Sequence, residues 1–254
     1  MQYNSVIILG YKRSGTSLLR VLLNSHPEIA IGPELKSMQR IVKKYPASFQ
    51  EFLKLTKKDA EDFEYSEQTL KKIYQASSSW DEIMLNWCIE YRDRKGKRLW
   101  GDKTPQNFKY LKELSEKFQD TFFIHIVRNP FDVMKSSMQR GTYNGMRTIF
   151  AWLFSNINTK YLDPEHYHFL KYEEFIKEPA NHLSVICDRL GVQPANLLDL
   201  YRNADHGRIA KGDLWNKPIF STPQKKKQLL PFKDRVLINL ICFRYLKKYG
   251  YKNS

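Results

Sequence analysis

The stretch from Ser5 to Pro27 constrains the fold more than any other. Ser5–Leu9 (SVIIL) is a short apolar run rich in β-branched residues, the pattern of a strand buried on both faces of a parallel sheet. Gly10 ends it. From Thr16 onward, Leu18, Leu19, Val21, Leu22 and Leu23 suit a buried helix, which His26 and Pro27 stop. Between strand and helix lies GYKRSGTS, where Gly10 and Gly15 have the spacing of a Walker A loop, G-x-x-x-x-G-K-[ST], and Ser17 closes the pattern. A strand, a glycine-bracketed loop and a helix N-terminus together present backbone N–H groups to a phosphate. Two glycines at this spacing also occur in an ordinary βα turn. The preceding strand and the hydroxyls of Ser14, Thr16 and Ser17 favour phosphate.

Position 16 is Thr, where a nucleoside triphosphatase needs the Lys that reaches the β- and γ-phosphates. A Walker B strand is also lacking, since the Asp of FIHIVRNPFD lies past an Arg and a Pro. The loop is poorly built for a magnesium nucleoside triphosphate. A donor with one charged group at its 5′ end needs less: backbone amides, a few hydroxyls and one cation. Arg13 supplies the cation.

Four segments in order carry a resemblance. YKRSGTSLLRVLLNSHPEI resembles the 5′-phosphosulfate loop of sulfotransferases that use 3′-phosphoadenosine 5′-phosphosulfate (PAPS). WGDKTPQN resembles that family's central lysine strand. FFIHIVRNPFDVMKSSMQR resembles its 3′-phosphate motif, an Arg at a strand end followed eight residues on by a Ser. LKYEEFIKEPANHLSVICDRLGV resembles its Y-E-x-hydrophobic segment. Together they span roughly Val6 to Val192. The pattern R-S-G-T-[TS]-L-x-R, then H-P, then a Gly shortly before a Glu, is most similar to the branch containing tyrosylprotein sulfotransferases and many bacterial enzymes. Lys12 departs from it, standing where relatives usually carry Pro.

The resemblance implies an α/β fold, a parallel sheet flanked by helices of the P-loop-like sulfotransferase type, as one domain over 1–254. Residue patterning agrees. Strands are expected at Arg98–Gly101, Thr121–Val127 and His166–Leu170, each followed by a helical pattern, and Leu35–Asp93 reads as inserted helices. No run of about 18 apolar residues marks a membrane span. The first strand starts close to the N-terminus, leaving little room for a signal peptide, so a cytoplasmic location is expected. Cys88, Cys187 and Cys242 lie singly in apolar patterns and read as reduced core residues.

The resemblance also implies roles. The co-substrate would be PAPS, released as 3′-phosphoadenosine 5′-phosphate (PAP), with no metal. Arg13, Ser14, Gly15, Thr16 and Ser17 would hold its 5′ end, and Arg128 and Ser136 its 3′-phosphate. Tyr172 would contact the nucleoside, and Lys217 would close over the donor. Glu34 would act as the base on an acceptor hydroxyl; Pro33-Glu34 also reads as a helix start. Lys103 would stabilise the bridging oxygen, while a salt bridge with Asp102 is the plainer reading of that pair. His125, alternating with Ile124 and Ile126, reads as a core histidine rather than a rival base. The acceptor, whether glycan, protein tyrosine or small alcohol, is open.

The formal net charge is +15, and the last 50 residues hold 12 Lys/Arg against 3 Asp/Glu, 12 − 3 = 9 of it. Such a basic region fits nucleic-acid or membrane-surface binding, a solvated helix face, or an electrostatic funnel for an anionic donor. The motifs favour the funnel, and no nucleic-acid partner is expected. A kinase or nucleoside triphosphatase of the same fold, and a basic non-catalytic nucleic-acid binder, are the alternatives.

Overall fold

A computed structural model describes residues 3–203 and 230–251. Five parallel strands, β1 (Ser5–Leu9), β2 (Ile29–Ile31), β3 (Leu99–Asp102), β4 (Thr121–Val127) and β5 (Tyr167–Lys171), form one sheet in the order β2-β3-β1-β4-β5. Between them run α1 (Thr16–Asn24), α2 (Phe49–Phe63), α3 (Glu67–Gln75), α4 (Trp80–Arg94), α5 (Leu111–Lys117), α6 (Pro130–Gln139) and α7 (Gly145–Ile157). After β5 come α8 (Tyr172–Phe175), α9 (Pro179–Leu190), α10 (Leu197–Asn203) and α11 (Phe232–Lys248).

The unbroken apolar character of β1 follows from its central place. Val6 and Ile8 pack with Leu19 and Leu22 of α1 on one face, and Ile7 and Leu9 pack with Met84 and Trp87 of α4 on the other. Burial of each such side chain contributes about 1.5–3 kcal/mol. The Leu35–Asp93 insertion is helical, as its composition implies, and α2, α3 and α4 each begin at a serine (Ser48, Ser66, Ser79) whose hydroxyl accepts an N–H of the first turn. A third apolar cluster joins α6, α7 and α11.

Two strands are displaced by one residue from the sequence pattern, at both ends. The third strand runs Leu99–Asp102 rather than Arg98–Gly101, and the fifth Tyr167–Lys171 rather than His166–Leu170. Among the described residues no helix is long and apolar enough to cross a membrane. The three cysteines are buried and free.

Candidate active site

Because all five strands are parallel, their C-terminal ends share one edge, where α/β folds place ligands. Each end delivers one element of the predicted site. The loop Gly10–Gly15 follows β1, Glu34 comes shortly after β2, Lys103 follows β3 directly, Arg128 follows β4, and Tyr172 follows β5. Strand order sets the layout. The loop lies in the middle, Lys103 and Glu34 to one side, Arg128 and Tyr172 to the other.

The loop closes with a hydrogen bond from the Ser14 N–H to the Tyr11 carbonyl, 3.1 Å. Arg13 takes a φ of 72°, left-handed territory that costs a side chain about 1 kcal/mol or more. Gly15, the residue capping α1, has φ 96°. A Cβ there would lie 2.5 Å from Cδ2 of Tyr172, so the aromatic ring packs directly on the glycine. Ser14 Oγ is buried with no hydrogen-bond partner. Thr16 is buried at the first turn of α1, and Ser17 is exposed.

On the β4 side, Arg13 Nε donates to Ser136 Oγ at 3.0 Å, and Arg128 Nη1 donates to the Arg13 carbonyl at 3.3 Å. The Arg128 guanidinium stands 4.5 Å from the Tyr172 ring centre, with its Nε buried and unpartnered. Ser136 is therefore brought to the loop although it lies two turns along α6. Asn129 caps that helix through Phe131 N–H, with Pro130 at its first position. The Arg13 guanidinium is pushed below its ordinary pKa by burial, then by the charges of Arg140 and Arg128. Among the described residues none of these three arginines is ion-paired with a carboxylate. Arg13 and Arg128 in contact, Arg140 near enough to act on the Arg13 charge, and an unpartnered hydroxyl and guanidinium N–H form an arrangement suited to anions.

On the β3 side, the buried Lys103 ammonium donates to Glu34 Oε1 and to Ser17 Oγ (3.3 Å). Burial lowers the Lys103 pKa, and Glu34 opposes that shift. Glu34 does not start a helix; the 3₁₀ turn beyond it runs Lys36–Arg40. Nor does Asp102 pair with Lys103. Its buried carboxylate accepts from Thr104 Oγ1 (3.2 Å) and Asn107 Nδ2 (2.8 Å). His125 is a core residue: its Nδ1 meets Tyr167 Oη at 3.0 Å, and burial pushes its pKa down to about 3.

Sequence reasoning gave Arg20 no role. Buried on α1, it donates through Nη1 to the carbonyls of Gly32 (2.7 Å) and Ile31 (3.5 Å), tying the turn that carries Glu34 to the helix of the phosphate loop. Burial lowers its pKa to about 10, while Tyr91, Glu34 and Asp102 oppose the shift. The available signal was a charged residue inside an otherwise apolar helix. Lys217 lies outside the described residues.

Residues 5–195 match the sulfotransferase family model. The chain belongs to the sulfotransferase family. Its fold is similar to that of the sulfotransferase domain of the Synechococcus PCC 7002 olefin synthase (TM-score 0.70, 20% identity, covering 99% of this chain and 97% of that one). The sulfotransferase domain of the curacin biosynthetic pathway is similar over 82% of this chain and 81% of its own (TM-score 0.58, 24% identity). A mouse sulfotransferase complexed with PAP also shares the fold (TM-score 0.53, 14% identity, 98% and 90% covered). An uncharacterized protein of Aquifex aeolicus is 29% identical over 176 residues, 64% of this chain. The chain spans only about a fifth of that relative's length, 21%.

Proposed function

We propose that this sulfotransferase moves a sulfuryl group from PAPS to an acceptor hydroxyl by in-line displacement. The observation that carries the reading is the arrangement along one sheet edge: Arg13 and Arg128 meet on one flank of the phosphate loop, within reach of the Arg140 charge, and a carboxylate–ammonium pair stands on the other. The first flank fits a nucleotide with two anionic groups, the 5′ end on the loop and the 3′-phosphate between Arg128, Ser136 and the start of α6. Tyr172, held against Gly15 and Arg128, would border the nucleoside. The orphaned Ser14 Oγ and Arg128 Nε are groups such a ligand would satisfy.

In this reading Glu34 takes the proton of the acceptor hydroxyl as its oxygen attacks sulfur. The new O–S bond forms while the bond from sulfur to the bridging phosphate oxygen breaks. Negative charge grows on the leaving phosphate, where Lys103 and Arg13 stabilise it. Arg20 acts through Gly32, fixing the turn that aims Glu34. The loop lacks the Walker lysine, so no divalent cation is required to organise a triphosphate.

The test is turnover with labelled PAPS over pooled glycan, tyrosyl-peptide and alcohol acceptors, in EDTA and with added magnesium. The expected outcome is sulfuryl transfer that survives complete chelation. No transfer to any acceptor would overturn the reading, and transfer lost in EDTA and restored by magnesium would overturn its metal independence.

A further inference from the structure

The proposed donor site draws no residue from α11, yet this helix carries an unusual surface. Its Ile238, Cys242 and Leu246 are buried in one cluster with Ile149 and Trp152 of α7, which is all the apolar surface a packed helix needs. About 120° around the helix lies a second apolar row. Phe232, Val236, Leu240 and Phe243 are 78, 38, 71 and 54% exposed. Spaced i, i+4, i+8 and i+11, they fall within an arc of about 80°. Single exposed apolar side chains are ordinary on a protein surface, but a continuous row of four points to a partner.

The charges around the row say which partner. At helical spacing, exposed Lys233 and Arg244 border it on one side, Arg235 lies beyond its other side, and exposed Lys247 stands at its C-terminal end. Asp234, the sole acid of the helix, is buried on the opposite face. We propose that this face of α11 docks on the surface of a membrane containing anionic lipid. The apolar row would enter the boundary between headgroups and acyl chains, and the cations would meet lipid phosphates, their aliphatic stems lying along the apolar surface. A second copy is a poor occupant, because docking like faces would bring the same cations together in a chain of net charge +15. Nucleic acid is a poorer one: Phe232 and Phe243 could stack on bases, but Val236 and Leu240 between them offer neither hydrogen bonds nor an aromatic face, whereas lipid accepts all four.

The experiment is co-sedimentation of the full chain with vesicles of phosphatidylcholine alone, or of phosphatidylcholine mixed with phosphatidylglycerol. Binding to the mixed vesicles should be about tenfold stronger or more, and should weaken as salt is raised. The double variant Leu240→Glu/Phe243→Glu should lose this binding and keep its circular dichroism and thermal midpoint, since both side chains project outward. Lys233→Glu/Arg244→Glu tests the charge term separately and should also lose it. Equal binding to both vesicle types, none to either, or undiminished binding by both variants would overturn the proposal. So would a dimer that the Leu240→Glu/Phe243→Glu variant dissociates.

Discussion

The Lys103 ammonium is held between Glu34 and Ser17, and so joins the neighbours of β2 and β1 across the C-terminal edge of β3. The pair is asymmetric. Lys103 is buried, whereas Glu34 reaches partly into solvent. Each partner therefore has a different dependence on the other, for stability and for chemistry.

If Glu34 is the base, Glu34→Gln keeps the shape and an oxygen facing Lys103 but cannot take the acceptor's proton. Turnover should fall by about 10²–10⁴, with PAP affinity nearly unchanged. Steady-state kinetics beside calorimetric titration with PAP make the check. Near-normal turnover would reduce Glu34 to a partner that holds Lys103 in place.

Lys103→Met should lower turnover by about 10²–10³ while weakening PAP binding much less, because the charge it stabilises grows during transfer. Equal losses in both would recast it as an anchoring charge. The thermal midpoint should separate the two partners as well. Lys103→Met leaves Glu34 open to water, whereas Glu34→Ala leaves a buried cation without its carboxylate, so the second variant should melt lower. Burial holds the Lys103 pKa below 10.5, and activity that needs its proton should decline from a lower pH than an ordinary lysine would give.

How far the sequence speaks for the structure varies by element. Thr121–Val127 is legible to the residue, because all seven positions are buried and only Thr121 and His125 are polar. β3 is displaced by one, since Arg98 and Asp102 look equally polar as strand ends and only Thr104 and Asn107, folded back on the carboxylate, let Asp102 be buried. The motif residues meet at one edge because each follows the C-terminal end of a parallel strand. Contacts across that edge are not legible. Asp102 looks the obvious partner for Lys103 in sequence, yet Glu34 is the partner in space. Arg20 is the harder case: its acceptors are backbone carbonyls of Ile31 and Gly32, which carry no sequence signature.

Asp102 gives a pH-dependent prediction. Burial pushes its pKa from 3.8 up to about 7, against the opposing hydrogen bonds of Asn107 and Thr104. The folded state then binds the proton more tightly than the unfolded one. The stability from this carboxyl is full below about pH 4 and is lost as pH rises through about 7. Asp102→Asn removes the titration, and Asn107 can turn its amide to match. The variant should gain on the parent as pH rises from 4 to 7, checked by chemical denaturation at intervals across that range. A constant difference between the two would mean that Asp102 keeps its charge in the fold.

Arg128 tests the donor's identity. Its guanidinium packs on Tyr172, donates to the Arg13 carbonyl, and retains an unpartnered buried Nε. PAPS differs from adenosine 5′-phosphosulfate only by the 3′-phosphate that this arginine would meet. A hydrogen bond to a charged group contributes about 1.5–3 kcal/mol. Arg128→Ala should therefore weaken PAPS roughly ten- to a hundredfold, at about 1.4 kcal/mol per decade. Adenosine 5′-phosphosulfate should bind weakly to the parent and lose little more in the variant, because it never made the contact. Loss of the Tyr172 stack or of the tie to the Arg13 carbonyl would harm both donors alike, so the difference between the two losses isolates the 3′-phosphate. If titration shows both weakened equally, Arg128 supports the loop and does not read the donor.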